Sequence, residues 1–328
     1  MSSADSGPVV VVTDYTFRDD LAVERAILEP LGCRIVGGQC RTEAEVIALA
    51  STADFVLTQF APLTAHAIQA MTKARLITRY GVGVDNVDLA AAAARSIPVY
   101  NVPDYCIDEV ADHTLGLILA LTRQIARLSA GVKAGRWTSP PPLQSFHALK
   151  DLTIGVVGCG RIGREVIARL RPFKTRILAH DPAMRAEQIT ALGCEPVSQV
   201  RLFAESDLIT LHVPSMAQTR QMINAQSLAR MKDGVLLVNV SRGTLVDQPA
   251  LIEALRSGKV GGAGLDVTDP EPPEAESPLL TMDNVLITSH IASASVHAAA
   301  TLRRSAAETI ALALRGERVP NCVNGVTP

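Results

Sequence analysis

One stretch constrains this chain more than any other: Ile154-Gly155-Val156-Val157-Gly158-Cys159-Gly160-Arg161-Ile162-Gly163. It holds the pattern G-x-G-x-x-G at Gly158, Gly160 and Gly163. By itself that pattern is weak. Here an apolar run leads into it and a helical segment, Arg164 to Leu170, leads out. In that setting each glycine has a job: a tight turn, close approach of backbone to a pyrophosphate, and close packing of helix on strand. The helix N-terminus adds free amides and the positive end of the helix dipole. Asp181 closes the next strand candidate, roughly 20 residues beyond the last glycine, where an acid accepts hydrogen bonds from ribose hydroxyls. A carboxylate there repels a 2′-phosphate, so NAD is expected as cofactor in preference to NADP.

The rest of the chain repeats the same alternation of short apolar runs and Ala/Leu-rich segments. Its 328 residues allow two domains of ~100–200 residues each. Val9 to Thr13, Asp54 to Thr58, Leu76 to Thr78 and Ile97 to Asn101 read as strands, and Asp19 to Leu31 as a helix. A single long helix is expected from about Asp108 to about Lys133, ending near Gly135. It is followed by the helix-hostile Thr138-Ser139-Pro140-Pro141-Pro142. After Lys150 a second series begins. Its strand candidates are Thr153 to Val157, Arg176 to Ala179, Leu208 to Leu211, Val235 to Val240, Gly262 to Val267 and Val285 to Thr288. Short apolar strands between helices imply parallel sheets covered on both faces, and the second series implies a doubly wound sheet of about six strands. A last helix, about Ser295 to Leu314, follows and is expected to pack back on the first domain.

Composition excludes several classes of function. The net charge of −2 gives no basic surplus for a phosphate backbone, and 3% aromatic residues give little material for stacking bases, so nucleic acid is not an expected partner. The six cysteines form no C-x-x-C pair and no zinc-ligand spacing, so no metal is expected. Scattered cysteines fit a reducing compartment. The segment Met1 to Pro8 is polar, and the apolar stretch Leu115 to Leu121 is too short to span a bilayer, so a cytoplasmic protein without membrane contact is expected.

Three polar residues stand just beyond strand candidates, where open α/β sheets bind ligands: Arg242, Glu271 and His290. Hydride transfer to a 2-oxo acid asks for such a set. A cation must hold the carboxylate and polarise the ketone, which suits the planar fork of arginine. An acid must protonate the new alkoxide, which suits histidine. A carboxylate beside that histidine favours its charged form.

These segments resemble the D-isomer-specific 2-hydroxyacid dehydrogenase family, which includes D-3-phosphoglycerate dehydrogenase, D-lactate dehydrogenase, glyoxylate reductase and the C-terminal binding proteins. The likeness is clearest from about Asp54 to Ala298. It implies an NAD-dependent oxidoreductase that interconverts a D-2-hydroxy acid and its 2-oxo acid. In it the arginine of the S-R-G segment, Arg242, binds substrate; the glutamate five residues beyond the L-D-V aspartate, Glu271, pairs with the histidine; and His290 is the acid/base. Ser289 stands where proline is common in the family. The resemblance places Arg161 and Ile162, with Gly158, Gly160 and Gly163, at the pyrophosphate, and His212, Val213 and Pro214 along the adenosine side. It places Val240 and Ser241, with Arg242, near the nicotinamide ribose, and Asp266 on the carboxamide. The backbone amides of Val82 and Gly83 would bind the substrate carboxylate, and Tyr105 would reach the substrate.

The resemblance further implies two doubly wound domains with a cleft between them. A flavodoxin-like substrate domain would take 1–104 and 292–328, and a Rossmann NAD domain 105–291, with a homodimer formed through the NAD domain. A rival reading is an NAD(H)-sensing binding protein with little turnover, like the C-terminal binding corepressors. A formate dehydrogenase is disfavoured, since that branch usually has glutamine in place of Glu271. Arg79, near the glycine turn, could meet a phosphate, which would favour 3-phosphoglycerate. The chain ends at Pro328 without a C-terminal regulatory domain, so feedback by serine is not expected. Of the other polar residues, His113 is read as packing or interface, Cys159 as a small filler, and Trp137 as a surface or interface anchor.

Overall fold

Short strands and helices alternate in two series along the chain. A computed structural model describes residues 7–17, 20–137 and 146–326. The contacts divide it into two units: Met1–Cys106 with Ser295–Pro328, and Ile107–Ala294. The proline-rich stretch Thr138 to Pro142, and Asp19 at the expected start of the first helix, lie outside the described residues.

The first unit runs β1 (Val9–Val12), α1 (Ala22–Leu28), β2 (Arg34–Gly37), α2 (Glu43–Ala50), β3 (Phe55–Thr58), α3 (Ala65–Ala70), β4 (Leu76–Arg79), α4 (Leu89–Ala94) and β5 (Val99–Tyr100). The strands form a parallel sheet in the order β2-β1-β3-β4-β5. Successive strand residues enter opposite cores. Val10, Val12 and Phe55 go to one face, and Val11, Val56 and Ile77 to the other. A sheet covered on both faces needs such near-continuous apolar strands. Thr42 starts α2 with a reciprocal cap: its hydroxyl accepts from the Glu45 amide, and the Glu45 carboxylate accepts from the Thr42 amide.

The second unit runs α5 (Ile107–Thr122), α6 (Ile125–Lys133), β6 (Thr153–Val157), α7 (Arg161–Leu170), β7 (Arg176–His180), α8 (Ala186–Ala191), β8 (Glu195–Pro196), α9 (Gln199–Glu205), β9 (Leu208–Leu211), α10 (Ala225–Ala229), β10 (Val235–Asn239), α11 (Gln248–Ser257), β11 (Val260–Leu265) and β12 (Val285–Ile287). The strands form a seven-stranded parallel sheet in the order β12-β11-β10-β9-β6-β7-β8. The order reverses between β6 and β9, the switch point at which doubly wound sheets bind ligands beyond the carboxyl ends of their strands. Leu208 and Ile209 again face opposite cores.

The chain then returns to the first unit as α12 (Val296–Leu314), capped by the Ser295 hydroxyl, which accepts from the Ala298 amide at 2.9 Å. Leu302, Ala306, Ala307 and Ile310 of α12 join the core that holds Val10 and Phe55. Arg303, on the same helix, reaches the fully buried Glu24 of α1. Its Nε lies 2.9 Å from Oε1 and a terminal nitrogen 2.6 Å from Oε2. The Tyr80 hydroxyl donates to Glu24 Oε1 at 3.1 Å, and the Phe17 ring covers the guanidinium at 4.5 Å. Burial, with the Glu24 carboxylate adding to it, pushes the Tyr80 phenol far up, so it stays a donor.

Several expectations are corrected. The seventh strand of the second unit, β8, and the edge strand β2 were not read from the sequence. The expected long helix breaks at Gln124 (φ 51°), and α5 and α6 meet at 61°. The apolar stripe of α5 ends at Leu121 and Thr122, whereas α6 buries no residue, so no packing carries the axis onward. The helix expected over Asp19 to Leu31 is α1 plus a 3-10 turn, Glu29–Leu31. It starts only after Leu21, which turns left-handed (φ 55°) with its side chain fully buried, and Gly32 (φ 82°) closes the turn. Among the described residues no single helix is long and apolar enough to cross a membrane.

Candidate cofactor and catalytic site

The glycine turn leaves the carboxyl end of β6. Gly158 has φ 94°, and a Cβ there would stand 2.6 Å from the His212 carbonyl oxygen. A Cβ on Gly163, in the first turn of α7, would collide with the Gly158 carbonyl. These two glycines let strand, turn and helix close on one another. Gly160 differs: nothing lies within 4 Å of where its Cβ would be. It begins α7 without a side-chain cap, which suits the first amides of the helix to an anion. That open cradle fits a pyrophosphate.

Asp181, just past β7, is held in place. Its carboxylate accepts from the Cys159 amide at 2.8 Å and the Ala183 amide at 2.9 Å. Each oxygen keeps lone pairs for a ribose. Replacing Asp181 by asparagine is expected to shift the NAD-over-NADP preference by roughly tenfold, the worth of one hydrogen bond to a charged group. Fluorescence titration with both cofactors checks it, and an unmoved preference removes Asp181 from the ribose role. Cys159 is fully buried, and burial together with Asp181 pushes its thiol up to about 12, so it stays a protonated filler.

Beyond β9, the His212–Val213–Pro214 segment lies against the glycine turn, with Val213 Cγ1 2.8 Å from the Gly158 Cβ position. His212 Nε2 meets the Thr210 hydroxyl at 2.9 Å, and Nδ1 is sealed without a hydrogen-bond partner. Burial drives this imidazole down to about 3, which favours its neutral form.

Beyond β10, a buried asparagine builds the arginine loop. Asn239 Nδ2 donates to the Arg242 carbonyl at 2.7 Å, and its Oδ1 accepts from the Ser241 amide at 3.0 Å. The Ser241 hydroxyl donates to the Leu211 carbonyl at 2.7 Å, tying Val240 to Arg242 onto β9. A Cβ on Gly243 would collide with the Thr268 carbonyl, so the S-R-G glycine lets the arginine loop press on the loop that carries Glu271.

Beyond β11 and β12 the structure brings two of the three expected residues together. His290 Nδ1 lies 2.9 Å from Glu271 Oε2. Glu271 Oε1 accepts from the Thr268 amide at 3.3 Å. His290 is left-handed (φ 53°), and its amide donates to the Asp266 carbonyl at 2.8 Å. Asp266 is 1% exposed. Its carboxylate accepts from the Thr288 hydroxyl at 2.6 Å and from the amides of Ile291 and Ala292, each at 2.9 Å. His113 of α5 reaches the same cluster, with Nε2 3.0 Å from the Thr288 hydroxyl and 3.7 Å from Asp266 Oδ1. Asn239, Thr288 and the contact of His113 were missed in the sequence. An asparagine at a strand end was the one available signal.

In the first unit, Val82 and Gly83 follow Gly81 (φ 141°) on the turn after β4. The Val82 carbonyl accepts from Asn101 at 2.6 Å. Arg79 is buried beneath that turn: its Nε donates to the Gln59 carbonyl at 3.2 Å, and a Cβ on Gly81 would collide with its guanidinium. Tyr105 packs against the core of its unit.

Residues 115–292 match the family described as D-isomer specific 2-hydroxyacid dehydrogenase, NAD binding domain. D-3-phosphoglycerate dehydrogenase of Mycobacterium leprae is 38% identical over 320 residues, covering 97% of this chain and 59% of that protein. The chain thus spans about three fifths of that relative's length. Glyoxylate reductase of Korarchaeum cryptofilum is 38% identical over 265 residues, 80% of each chain. Among solved structures, D-lactate dehydrogenase of Aquifex aeolicus, complexed with NAD and lactic acid, has a TM-score of 0.86 at 29% identity, covering 97% of this chain and all of that one.

Proposed function

Because the chain belongs to the D-isomer specific 2-hydroxyacid dehydrogenase family and carries its NAD binding domain, we propose that it is an NAD-dependent oxidoreductase interconverting a D-2-hydroxy acid and its 2-oxo acid. The observation that carries this reading is the His290–Glu271 pair at 2.9 Å, on loops leaving the carboxyl ends of β11 and β12. Bound NAD(H) supplies the hydride donor or acceptor. Nδ1 of His290 meets the Glu271 carboxylate, and the other ring nitrogen, Nε2, is assigned to the substrate oxygen. In reduction, His290 gives a proton to that oxygen and is left neutral, and in oxidation it takes the proton back. Glu271 holds the ring through Nδ1, and the Arg242 fork holds the carboxylate and polarises the ketone.

Gly158, Gly160, Gly163, Arg161 and Ile162 are the proposed pyrophosphate cradle, and Asp181 the ribose acceptor. His212, Val213, Pro214, Val240, Ser241 and Asp266 complete the proposed cofactor contacts. Val82, Gly83 and Tyr105 are proposed substrate contacts on the strength of the resemblance. Arg242→Ala is expected to raise KM and lower kcat together, each by about 10-fold or more, since the guanidinium serves ground and transition states alike. Unchanged steady-state kinetics would remove it from the site.

The deciding experiment follows NADH oxidation by absorbance against glyoxylate, hydroxypyruvate, pyruvate, phenylpyruvate, 2-oxoglutarate and 3-phosphohydroxypyruvate. Turnover with one of them supports the reading. Tight NADH binding with no turnover on any of them sinks it in favour of an NAD-dependent binding role.

A homodimer formed through the NAD domain is proposed as well. It is supported by α6, which buries nothing within its own unit, and by Trp137 beyond it, 81% exposed. Light scattering that returns the mass of one chain would remove it. A cytoplasmic setting is proposed from the six free thiols; a disulfide found in the protein isolated from its cell would count against it.

A further inference from the structure

We propose that Thr288 and His113 are positioning residues for His290, acting through the buried carboxylate of Asp266. The proposal rests on the reading of His290 as the acid/base.

The hydrogen bonds have a fixed direction. Both Asp266 oxygens accept backbone amides, from Ile291 and Ala292. The single hydroxyl proton of Thr288 is committed to Oδ1 at 2.6 Å. The Thr288 oxygen can therefore only accept from His113, so His113 Nε2 carries a hydrogen and donates at 3.0 Å. The chain runs His113 to Thr288 to Asp266. Asp266 then fixes three consecutive residues: His290 through its backbone carbonyl at 2.8 Å, and Ile291 and Ala292 through its carboxylate. That segment needs fixing, because His290 is left-handed at φ 53°, a conformation that costs a non-glycine residue about 1 kcal/mol or more. The same conformation sets Nδ1 at 2.9 Å from Glu271. The network thus reaches from α5 to the imidazole without touching it. Two of its members, His113 and Thr288, are outside the expected site.

A network of this kind shows itself in turnover more than in cofactor affinity. Thr288→Val keeps the shape, removes the hydroxyl, and leaves one Asp266 oxygen short of a donor. Its kcat with the best 2-oxo acid is expected to fall about 10- to 100-fold, the loss that follows small misplacement of a reacting group. The NADH dissociation constant, read by nucleotide fluorescence, is expected to stay within about 2-fold. Thr288→Ser restores the hydroxyl and should restore kcat to within a few-fold. His113→Gln, which keeps an N–H donor, should retain more turnover than His113→Leu. This pair carries the test if Thr288→Val fails to fold. A Thr288→Val protein that melts earlier but turns over normally overturns the proposal, as does equal turnover in the two His113 variants. Parallel loss of kcat and NADH affinity overturns it too, since Thr288 would then act on the cofactor contact proposed for Asp266 and not on His290. His290→Ala is the control. If that variant keeps full turnover, the acid/base reading itself fails. If it is inactive while Thr288→Val is not, only the positioning role falls.

Discussion

His290→Ala lowers kcat for 2-oxo acid reduction by about 10²- to 10⁴-fold, the range for removing a positioned general acid, while NADH binds nearly as before. The expectation follows from where the ring sits. The imidazole is held through Nδ1 by Glu271, and its backbone is held by Asp266. Neither tie passes through the glycine turn or Asp181, where the cofactor's phosphates and ribose are placed. Truncation thus removes a proton donor and leaves the cradle intact. Single-turnover measurements with NADH prebound separate the two quantities. Equal loss of NADH affinity and turnover would take His290 out of the acid/base role. Burial pushes His212 down to about 3 and so favours its neutral form, and His113 Nε2 is hydrogen-bonded to Thr288.

Arg303→Ala is expected to cost the first unit about 3–5 kcal/mol, the loss seen when one partner of a buried ion pair is removed. Glu24 is fully buried and the Arg303 side chain is 8% exposed, so water cannot replace the guanidinium. The carboxylate would keep only the Tyr80 hydroxyl at 3.1 Å. Thermal unfolding of wild type and variant measures the loss, expected on the order of 10 °C in the transition of that unit. Replacing both partners with apolar residues of similar volume should recover much of it, because the pair carries its own desolvation cost. A single variant that melts within about 1 °C of wild type would show that the pair contributes little.

Sequence reading reached the parts of the fold whose signals are local. Strands such as Phe55–Thr58 and Leu208–Leu211 are buried at every position, so apolar residues dominate them. The glycine turn was legible because Gly158 and Gly163 answer steric demands made within a few residues or by one adjoining loop, while Gly160 completes the spacing. Arg242, Glu271 and His290 were found as residues past strand ends and through family spacing; the structure adds the contact of the last two. What was missed is set at a distance. The edge strand Arg34–Gly37 has mixed burial and Glu195–Pro196 is only half-buried, and pairing with their neighbours β1 and β7 makes strands of them. Gln124 breaks a helix-compatible pattern because packing stops there. Thr288 and His113 lie 175 positions apart, so nothing local marks their contact.

The discontinuity of the first unit has a consequence for how the protein is made. Its sheet is complete by β5, but one wall of its core, and the partner of Glu24, are on α12. The ribosome must add residues 107–294 before that helix exists. At ordinary elongation rates those ~190 residues take roughly 10–40 s, and throughout that time the apolar face awaiting α12 stays open on the nascent chain. The second unit is contiguous and can close as soon as it emerges. The earlier-encoded unit is therefore the later to finish folding. It is the one exposed to chaperones and proteases in the interval, and the one that a stalled or truncated transcript would leave uncovered.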